Sequence, residues 1–499
     1  MKQPERRTFL RNTGLAITAA ALSEPLASAA AQTSNAAPTA ATAKLARFIV
    51  STRYEDLPET VRHEAKRTLL NWVGCAIGGS PQETVGNAVA ALAPFAGSRE
   101  ATLFGRAERM DALNAALLNG ISSHVLDFDD THAQTAIHPA APIAPAILAL
   151  AEHRPVSGRD LIGALVVGVE TECRIGIAVS PSHYEIGWHI TGTAGAFGSA
   201  AAAGKLLGLT EQQMAWALGL AAAQPVGLQE MFGSMTKSFH PGKTAQNGLT
   251  AALLASKGFT ASEQALEARR GWLKMMSTEP NYAALTNESW EILRNSYKPF
   301  ACGLVVHPVI DGCIQLRDRH RLTADMIDRV EVSVHPRVML VTAIKDPKTG
   351  LEGKFSVYHA AAVALVDGAA GEQQFSDDAV RVPAIVELRK RVVPTVDPKI
   401  GKEQARVTIL LKNGERLAIF VEHAVGSVEK PMSDRQLEDK FRGLADGILP
   451  AGQTREIIDL CWRADTLTDA GDIARKAGKA SPKSIRQGSI TRLASNPLG

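Results

Sequence analysis

Twelve residues carry more chemistry than any other stretch of this chain. They run Asp127-Phe128-Asp129-Asp130-Thr131-His132-Ala133-Gln134-Thr135-Ala136-Ile137-His138, with three carboxylates, two hydroxyls and two imidazoles. The helical pattern Ala112–Val125 precedes them and the apolar run Ala140–Leu150 follows. Polar groups held between hydrophobic segments are costly to bury unless they meet partners or a ligand. The stretch is therefore the first candidate for an active-site wall.

Three further segments concentrate polar side chains. Gly187-Trp188-His189-Ile190-Thr191-Gly192-Thr193 leads into a helix of small residues, where free backbone N–H groups favour anions. Met235-Thr236-Lys237-Ser238-Phe239-His240-Pro241-Gly242-Lys243 places Lys237 and His240 beside a Pro-Gly pair that predicts a turn before a helix over 243–257. Tyr297-Lys298-Pro299-Phe300-Ala301-Cys302 puts Lys298 at a boundary between two kinds of structure, where ligand clefts tend to form. Each has an ordinary structural alternative: a capped helix with a packed histidine, a solvated basic loop, and a surface linker lysine.

Taken together these groups are imidazoles, ammonium groups and hydroxyls. His138, His189, Lys237, His240 and Lys298 suit a substrate with two or three carboxylates. Asp127, Asp129, Asp130, His132 and His138 could ligate a divalent ion, but no H-E-x-x-H spacing supports that and lysines are poor neighbours for a cation. A phosphate loop, a G-x-S-x-G elbow and a dinucleotide fingerprint are absent from the sequence. The five cysteines are scattered without a C-x-x-C pair, which argues against a zinc ribbon or iron–sulfur site.

Around these residues the chain divides into segments of distinct character. Of 499 residues, 45% are hydrophobic and 21% charged, the mix of an ordinary globular protein, and the net charge of +3 offers no nucleic-acid surface. Residues 1–31, with Arg6-Arg7, the apolar run Gly14–Leu22 and Ala27-Ser28-Ala29, read as a twin-arginine-type signal peptide and imply periplasmic export. Residues 32–43 read as a linker. From 44 to 294 the pattern is helix after helix, with cap signals at Ser157, Thr210 and Thr260. Residues 295–425 read as a smaller α+β lid domain. Val330, Val332 and Val334 alternate with polar residues, and Asn413-Gly414 sits between two strand-like runs, Val407–Leu411 and Leu417–Val421. Val357–Val366 looks helical. Residues 426–478 return to helical patterning that packs back on the first domain, and 479–499 read as a disordered tail. The fold class expected is mainly α: a large all-helical domain plus a smaller α+β lid domain.

The chain resembles the MmgE/PrpD family, which includes 2-methylcitrate dehydratase, cis-aconitate decarboxylase and iminodisuccinate epimerase. The resemblance covers most of residues 44–465. It rests on Leu126-Asp127-Phe128-Asp129-Asp130-Thr131, His138-Pro139, His189-x-Thr191-Gly192, Lys237-x-x-His240, Lys298-Pro299-Phe300 and Lys354-Phe355-Ser356. It implies catalysis without metal or organic cofactor, a homodimer, and active-site positions at Asp127, Thr131, His138, His189, Lys237 and Lys298. His240 and Thr191 join these as substrate-binding candidates. Two departures stand out. The chain carries an extra residue between Thr131 and His138 relative to some members. After Lys354-Phe355-Ser356, His359 stands where many members have a tyrosine, with Tyr358 one position earlier. The resemblance makes His359 a catalytic candidate and Tyr358 a binding candidate, and it argues against itaconate-type decarboxylation.

The expected reaction is that of a cofactor-independent lyase, dehydratase-like, which abstracts a proton alpha to a carboxylate of a di- or tricarboxylate. An imidazole that titrates near neutrality is the natural base, His138 or His189. Alternatives are an epimerase of an iminodisuccinate-like dicarboxylate, an exported carboxylate-binding protein without turnover, a metal-dependent hydrolase, and a scaffold that binds no carboxylate. No stretch has the ~20 apolar residues that span a bilayer, so membrane insertion is not expected.

Overall fold

A computed structural model describes residues 40–132 and 134–480. The expected signal peptide, most of the expected linker and nearly all of the expected tail lie outside the described residues. The protein is mainly α, with a smaller α+β region. The first described helix, Ala41–Ser51, takes in the last three residues of the expected linker.

Four helices frame the site: Ala112–His124, Ala140–His153, Ile190–Leu207 and Thr236–Ser256. Small residues let them approach closely. A Cβ built on Gly120 would stand 2.6 Å from the Cα of Gly242, and one on Gly248 would run into Ser199. The helix Ile190–Leu207 is buried on nearly every face, as its run of Ala and Gly suggests. Close contacts run along Ile190–Leu207 and Thr236–Ser256, from Gly192 beside His240 through Gly195 beside Thr244 to Gly248 against Ser199, so the N-terminal ends of these two helices lie together. His124 is the last residue of one, His189 caps the second, and Lys237 lies in the first turn of the third.

One local expectation is corrected here. Pro241-Gly242 makes no turn: the helix Thr236–Ser256 runs through both. A proline in a helix removes one hydrogen bond and crowds the carbonyl four residues back. That carbonyl belongs to Lys237, in the first turn, where the penalty is smallest. Lys237 and His240 therefore share one helical face instead of flanking a loop.

The α+β region holds a four-stranded sheet in the order Val392–Val396, Ile327–Val334, Ala405–Leu411, Arg416–Val421. The first pair is parallel and the others antiparallel. The hairpin closes at Asn413-Gly414, with Gly414 at φ +88. The strand Val392–Val396 escaped the sequence reading because it is short, proline-interrupted and at the sheet edge. The helices His307–His320 and Val357–Val366 contribute to the same apolar cluster as this sheet.

The C-terminal helix Asp434–Ala445 packs along Glu59–Gly79, with Phe441 over Gly74 and Leu444 over Gly78. A further two-residue strand pair, Thr131–His132 with Asn295–Ser296, brings the Asp127–His138 segment beside the segment that carries Lys298. All five cysteines are buried and unpaired. Among the described residues no helix is long and apolar enough to cross a membrane.

Candidate active site

Helix ends, the Asp127–His138 segment and the α+β region enclose a cavity of about 270 Å³. Asp127, Thr131, His138, His189, Lys237 and Lys298 all line it. Segments more than 150 residues apart in sequence thus meet in one space.

Asp127 is the hub. Its carboxylate Oδ1 accepts from Lys298 Nζ at 2.6 Å and pairs with Lys237 Nζ at 3.1 Å. Lys298 also donates to the Asp127 carbonyl at 3.0 Å. Burial alone would raise the Asp127 carboxyl, but the two ammonium groups outweigh it and hold it well below its ordinary value. Its backbone adopts φ +50, a left-handed conformation that aspartate tolerates better than most residues.

The two lysines are not equivalent. Burial pulls Lys237 below its ordinary value despite Asp127. At Lys298 the attraction of Asp127 and Asp129 overcomes burial and raises it. Lys298 is thus a fixed positive charge, and Lys237 gives up a proton more readily. Environments that push two like groups apart in this way mark candidates for acid–base work.

Three imidazoles stand together. The rings of His124 and His138 lie 4.6 Å apart, His124 and His189 5.8 Å, and His138 and His189 6.4 Å. His138 Nδ1 donates to the Asp130 carbonyl at 2.9 Å, while Asp129 Oδ1 sits at 3.3 Å as a charge neighbour. The Thr131 hydroxyl lies at 3.3 Å from the same nitrogen. That engagement turns Nε2 toward the cavity as the nitrogen available to a substrate. The His138 backbone N–H donates to Thr191 Oγ1 at 3.1 Å, so Thr191 acts by positioning His138 and does not itself line the cavity.

His124 went unremarked in the sequence because one histidine at the end of an amphipathic helix has no distinguishing pattern. It bridges two key groups: Nδ1 to Asp129 Oδ2 at 2.8 Å, and Nε2 accepting from Lys237 Nζ at 2.8 Å. Burial pushes it down to about 3, so it is a neutral relay between a carboxylate and an ammonium. His189 Nδ1 meets His240 Nδ1 at 2.9 Å. Burial, aided by the Lys237 ammonium, pushes His189 well below its ordinary value and His240 down to about 4. His240 therefore sets the ring orientation of His189 from behind the wall.

His359 and Tyr358 stand elsewhere. His359 is fully buried in the helix Val357–Val366, with Nε2 2.9 Å from the Gln374 carbonyl and its ring against Phe375. Tyr358 packs on the apolar cluster of the α+β region. Neither lines the cavity. The tyrosine that does is Tyr184, with the Arg337 guanidinium over its ring at 4.2 Å. Arg337, Lys402 and Glu403 of the α+β region, with Gln134, Phe232 and Phe355, complete the polar and aromatic lining. Four cationic side chains (Lys237, Lys298, Arg337, Lys402) thus face two carboxylates (Asp127, Glu403). His124, His138 and His189 could geometrically share a metal ion, as could Asp127, Asp129 and His138. A cation at either place would contend with the Lys237 ammonium, already 2.8 Å from His124 Nε2 and 3.1 Å from Asp127 Oδ1. The donor set fits an organic anion better than a metal.

The chain matches the MmgE/PrpD N-terminal domain over residues 43–285 and the MmgE/PrpD C-terminal domain over 300–464. It is 30% identical over 463 residues to a cis-aconitate decarboxylase of Aspergillus terreus, covering 86% of this chain and 94% of that protein. The human cis-aconitate decarboxylase is 27% identical over 455 residues, covering 87% and 93%. A cis-aconitate decarboxylase-like protein, oryM, of Aspergillus oryzae is 27% identical over 463 residues, covering 87% and 96%. With both family domains present in order and the cavity formed between their residues, the chain belongs to the MmgE/PrpD family.

Proposed function

We propose that the protein is a lyase that moves a proton at a carbon alpha to a carboxylate of a tricarboxylic acid. The observation that carries this reading is the cavity itself, where four cations and His138 Nε2, without a hydrogen-bond partner among the described residues, face one space. Carbon acids of this kind are weak. Stabilising the enolate-like charge on the adjacent carboxylate is the main task, and preorganised cations perform it best in a site shielded from water. Lys298 and Lys237 hold the carboxylate next to the reacting carbon. His138 Nε2 takes the alpha proton. The beta hydroxyl then leaves with a proton from Lys237, whose lowered affinity for its proton suits it as the acid. Arg337 and Lys402 hold a carboxylate at the far end.

The names of the relatives favour a second reading of the same machinery. In decarboxylation of an unsaturated tricarboxylate, carbon dioxide leaves and the bonding pair stays behind as an allylic carbanion. A carboxylate of the residual acid delocalises that charge, and His138 returns a proton to the alpha carbon. The two readings use one acid–base group in opposite directions.

Proton NMR in deuterium oxide separates them. Citrate, 2-methylcitrate and cis-aconitate are incubated with the protein and with His138→Gln. Loss of water from a hydroxy acid, with deuterium entering the alpha position of the remaining hydroxy acid as the step reverses, supports the first reading. Carbon dioxide release from cis-aconitate supports the second. In either case His138→Gln should be slower by roughly 10²–10⁴-fold. Neither conversion nor deuterium exchange with any of the three acids would reject the lyase reading.

A further inference from the structure

Two lysines outside the lining of this cavity, Lys354 buried and Lys440 half-buried, donate to backbone carbonyls on either side of the site. Lys440, on the helix Asp434–Ala445, donates to the Phe128 carbonyl at 2.6 Å, the Lys298 carbonyl at 2.9 Å and Asn71 Oδ1 at 2.8 Å. Its Nζ also lies 4.0 Å from the centre of the Phe128 ring. Lys354, after the short helix Gly350–Gly353, donates to the Leu126 carbonyl at 2.7 Å, the Ala301 carbonyl at 2.8 Å and Glu372 Oε2 at 3.0 Å.

The pattern is paired. Each lysine joins one carbonyl flanking Asp127 to one carbonyl in the Lys298 segment. Lys354 takes residues 126 and 301, and Lys440 takes 128 and 298. Between these two bridges lies the Asp127–Lys298 contact at 2.6 Å. Asp127 is also the residue with left-handed backbone, a conformation that persists when its surroundings over-determine it. The helix Asp434–Ala445 thus packs back on Glu59–Gly79 with a functional consequence, since it delivers Lys440 to the rear of the site.

We propose that Lys354 and Lys440 form a double ammonium clamp that fixes the Asp127 turn against the Lys298 segment and so sets the Asp127–Lys298–Lys237 geometry. Both are positioning residues. All three protons of each ammonium are used within the protein, which leaves none for a ligand. Burial lowers Lys440 to about 8, against the raising influence of nearby acidic groups, so this arm of the clamp gives up its charge more readily than an ordinary lysine. A cavity of about 430 Å³ lies beside Lys440 and gives room for a larger side chain.

The clamp rests on the catalytic reading of Asp127 and Lys298, and the test is built to separate the two. Lys440→Met, Lys440→Gln and Lys440→Arg are compared for kcat, KM and thermal midpoint, using whichever acid the NMR assay shows to be converted. Expected is a kcat lower by roughly 10–100-fold in the Met and Gln variants, the cost of about one to two charged hydrogen bonds. KM should move less than about threefold, since the substrate does not touch Lys440, and Lys440→Arg should recover kcat to within about fivefold of wild type. If Lys440→Met fails to fold, Lys440→Gln and Lys354→Gln carry the same comparison. Folded Met or Gln variants with wild-type kcat would overturn the clamp and leave the lyase reading standing. So would a folded Lys440→Arg no faster than Lys440→Met. Absence of turnover in the wild-type protein would instead count against the lyase reading, and the clamp is then read by hydrogen exchange. Amides of residues 126–130 and 298–302 should exchange faster in the Gln variants, and unchanged exchange would overturn it.

Discussion

Asp130 carries the clearest pH signature among single residues. It sits directly behind His138, with Oδ2 accepting from Asn295 Nδ2 at 2.7 Å and the Ala140 N–H at 3.2 Å, while Oδ1 has no partner among the described residues. Burial, then the neighbouring Asp129 charge, raises it to about 7 from 3.8. The folded state therefore binds this proton more tightly than the unfolded state. Its stabilising contribution is complete below about pH 4 and is lost as pH rises through 7, for a total of the order of a few kcal/mol. Asp130→Asn removes that proton while keeping the shape. Relative to wild type, its thermal midpoint should climb steadily from pH 4 to pH 8. A midpoint difference that is flat over that range would show that Asp130 is already ionised in the folded protein. At this scale the sequence was legible where polar residues crowd between apolar runs, as at Asp127, Thr131 and His138. It was illegible where a residue matters only through what it faces. His124, Tyr184 and Arg337 look ordinary in sequence, and proximity to a motif drew attention to His359 and Tyr358, whose helix turns both away from the cavity.

Helices place the site by packing closely, and glycine permits the close approach. At Gly242 an added Cβ would overlap the Leu117 carbonyl oxygen and press on the backbone N–H of Ile121. Both are backbone atoms of the helix Ala112–His124, so relief requires that the two helices separate. Gly242→Ala should destabilise by about 1–3 kcal/mol, the usual cost of forcing volume into a packed contact. It should also lower kcat, because the separating helices carry His124 and Lys237, which meet at 2.8 Å. Gly443→Ala, on the C-terminal helix with open space at its Cβ, is the control and should leave both quantities near wild type. Unchanged stability in Gly242→Ala would mean that the helices are not held at this spacing. Small residues were visible in the sequence as a composition, and they pointed correctly to close-packed helices. Which glycines face which helix was not visible, because that depends on crossing angles set by the whole bundle. The continuous helix through Pro241 shows the same limit: local turn chemistry predicted a break, and tertiary packing overrode it.

On the scale of the whole molecule, the cavity draws on two structurally different parts of one chain. Lys237, His138 and His189 come from the helical region, and Arg337, Lys402 and Phe355 from the α+β region. A ligand that reaches both parts binds the folded state alone and stabilises it by mass action, by about 2.7 kcal/mol at a concentration 100 times its Kd. On the proposed reading a tricarboxylate reaches Lys237, Lys298 and Arg337 together, whereas a dicarboxylate held by the two lysines leaves Arg337 without a carboxylate. Tricarballylate has three carboxylates and neither a hydroxyl nor a double bond to react, so it probes binding alone. It should raise the thermal midpoint more than glutarate does at equal concentration. In Arg337→Ala that advantage should vanish, since a charged hydrogen bond contributes about 1.5–3 kcal/mol, or roughly 10- to 100-fold in affinity. Glutarate should stabilise the variant and the wild type alike. Equal shifts for the two acids in wild type would place the third carboxylate outside the pocket and turn the substrate class toward dicarboxylates.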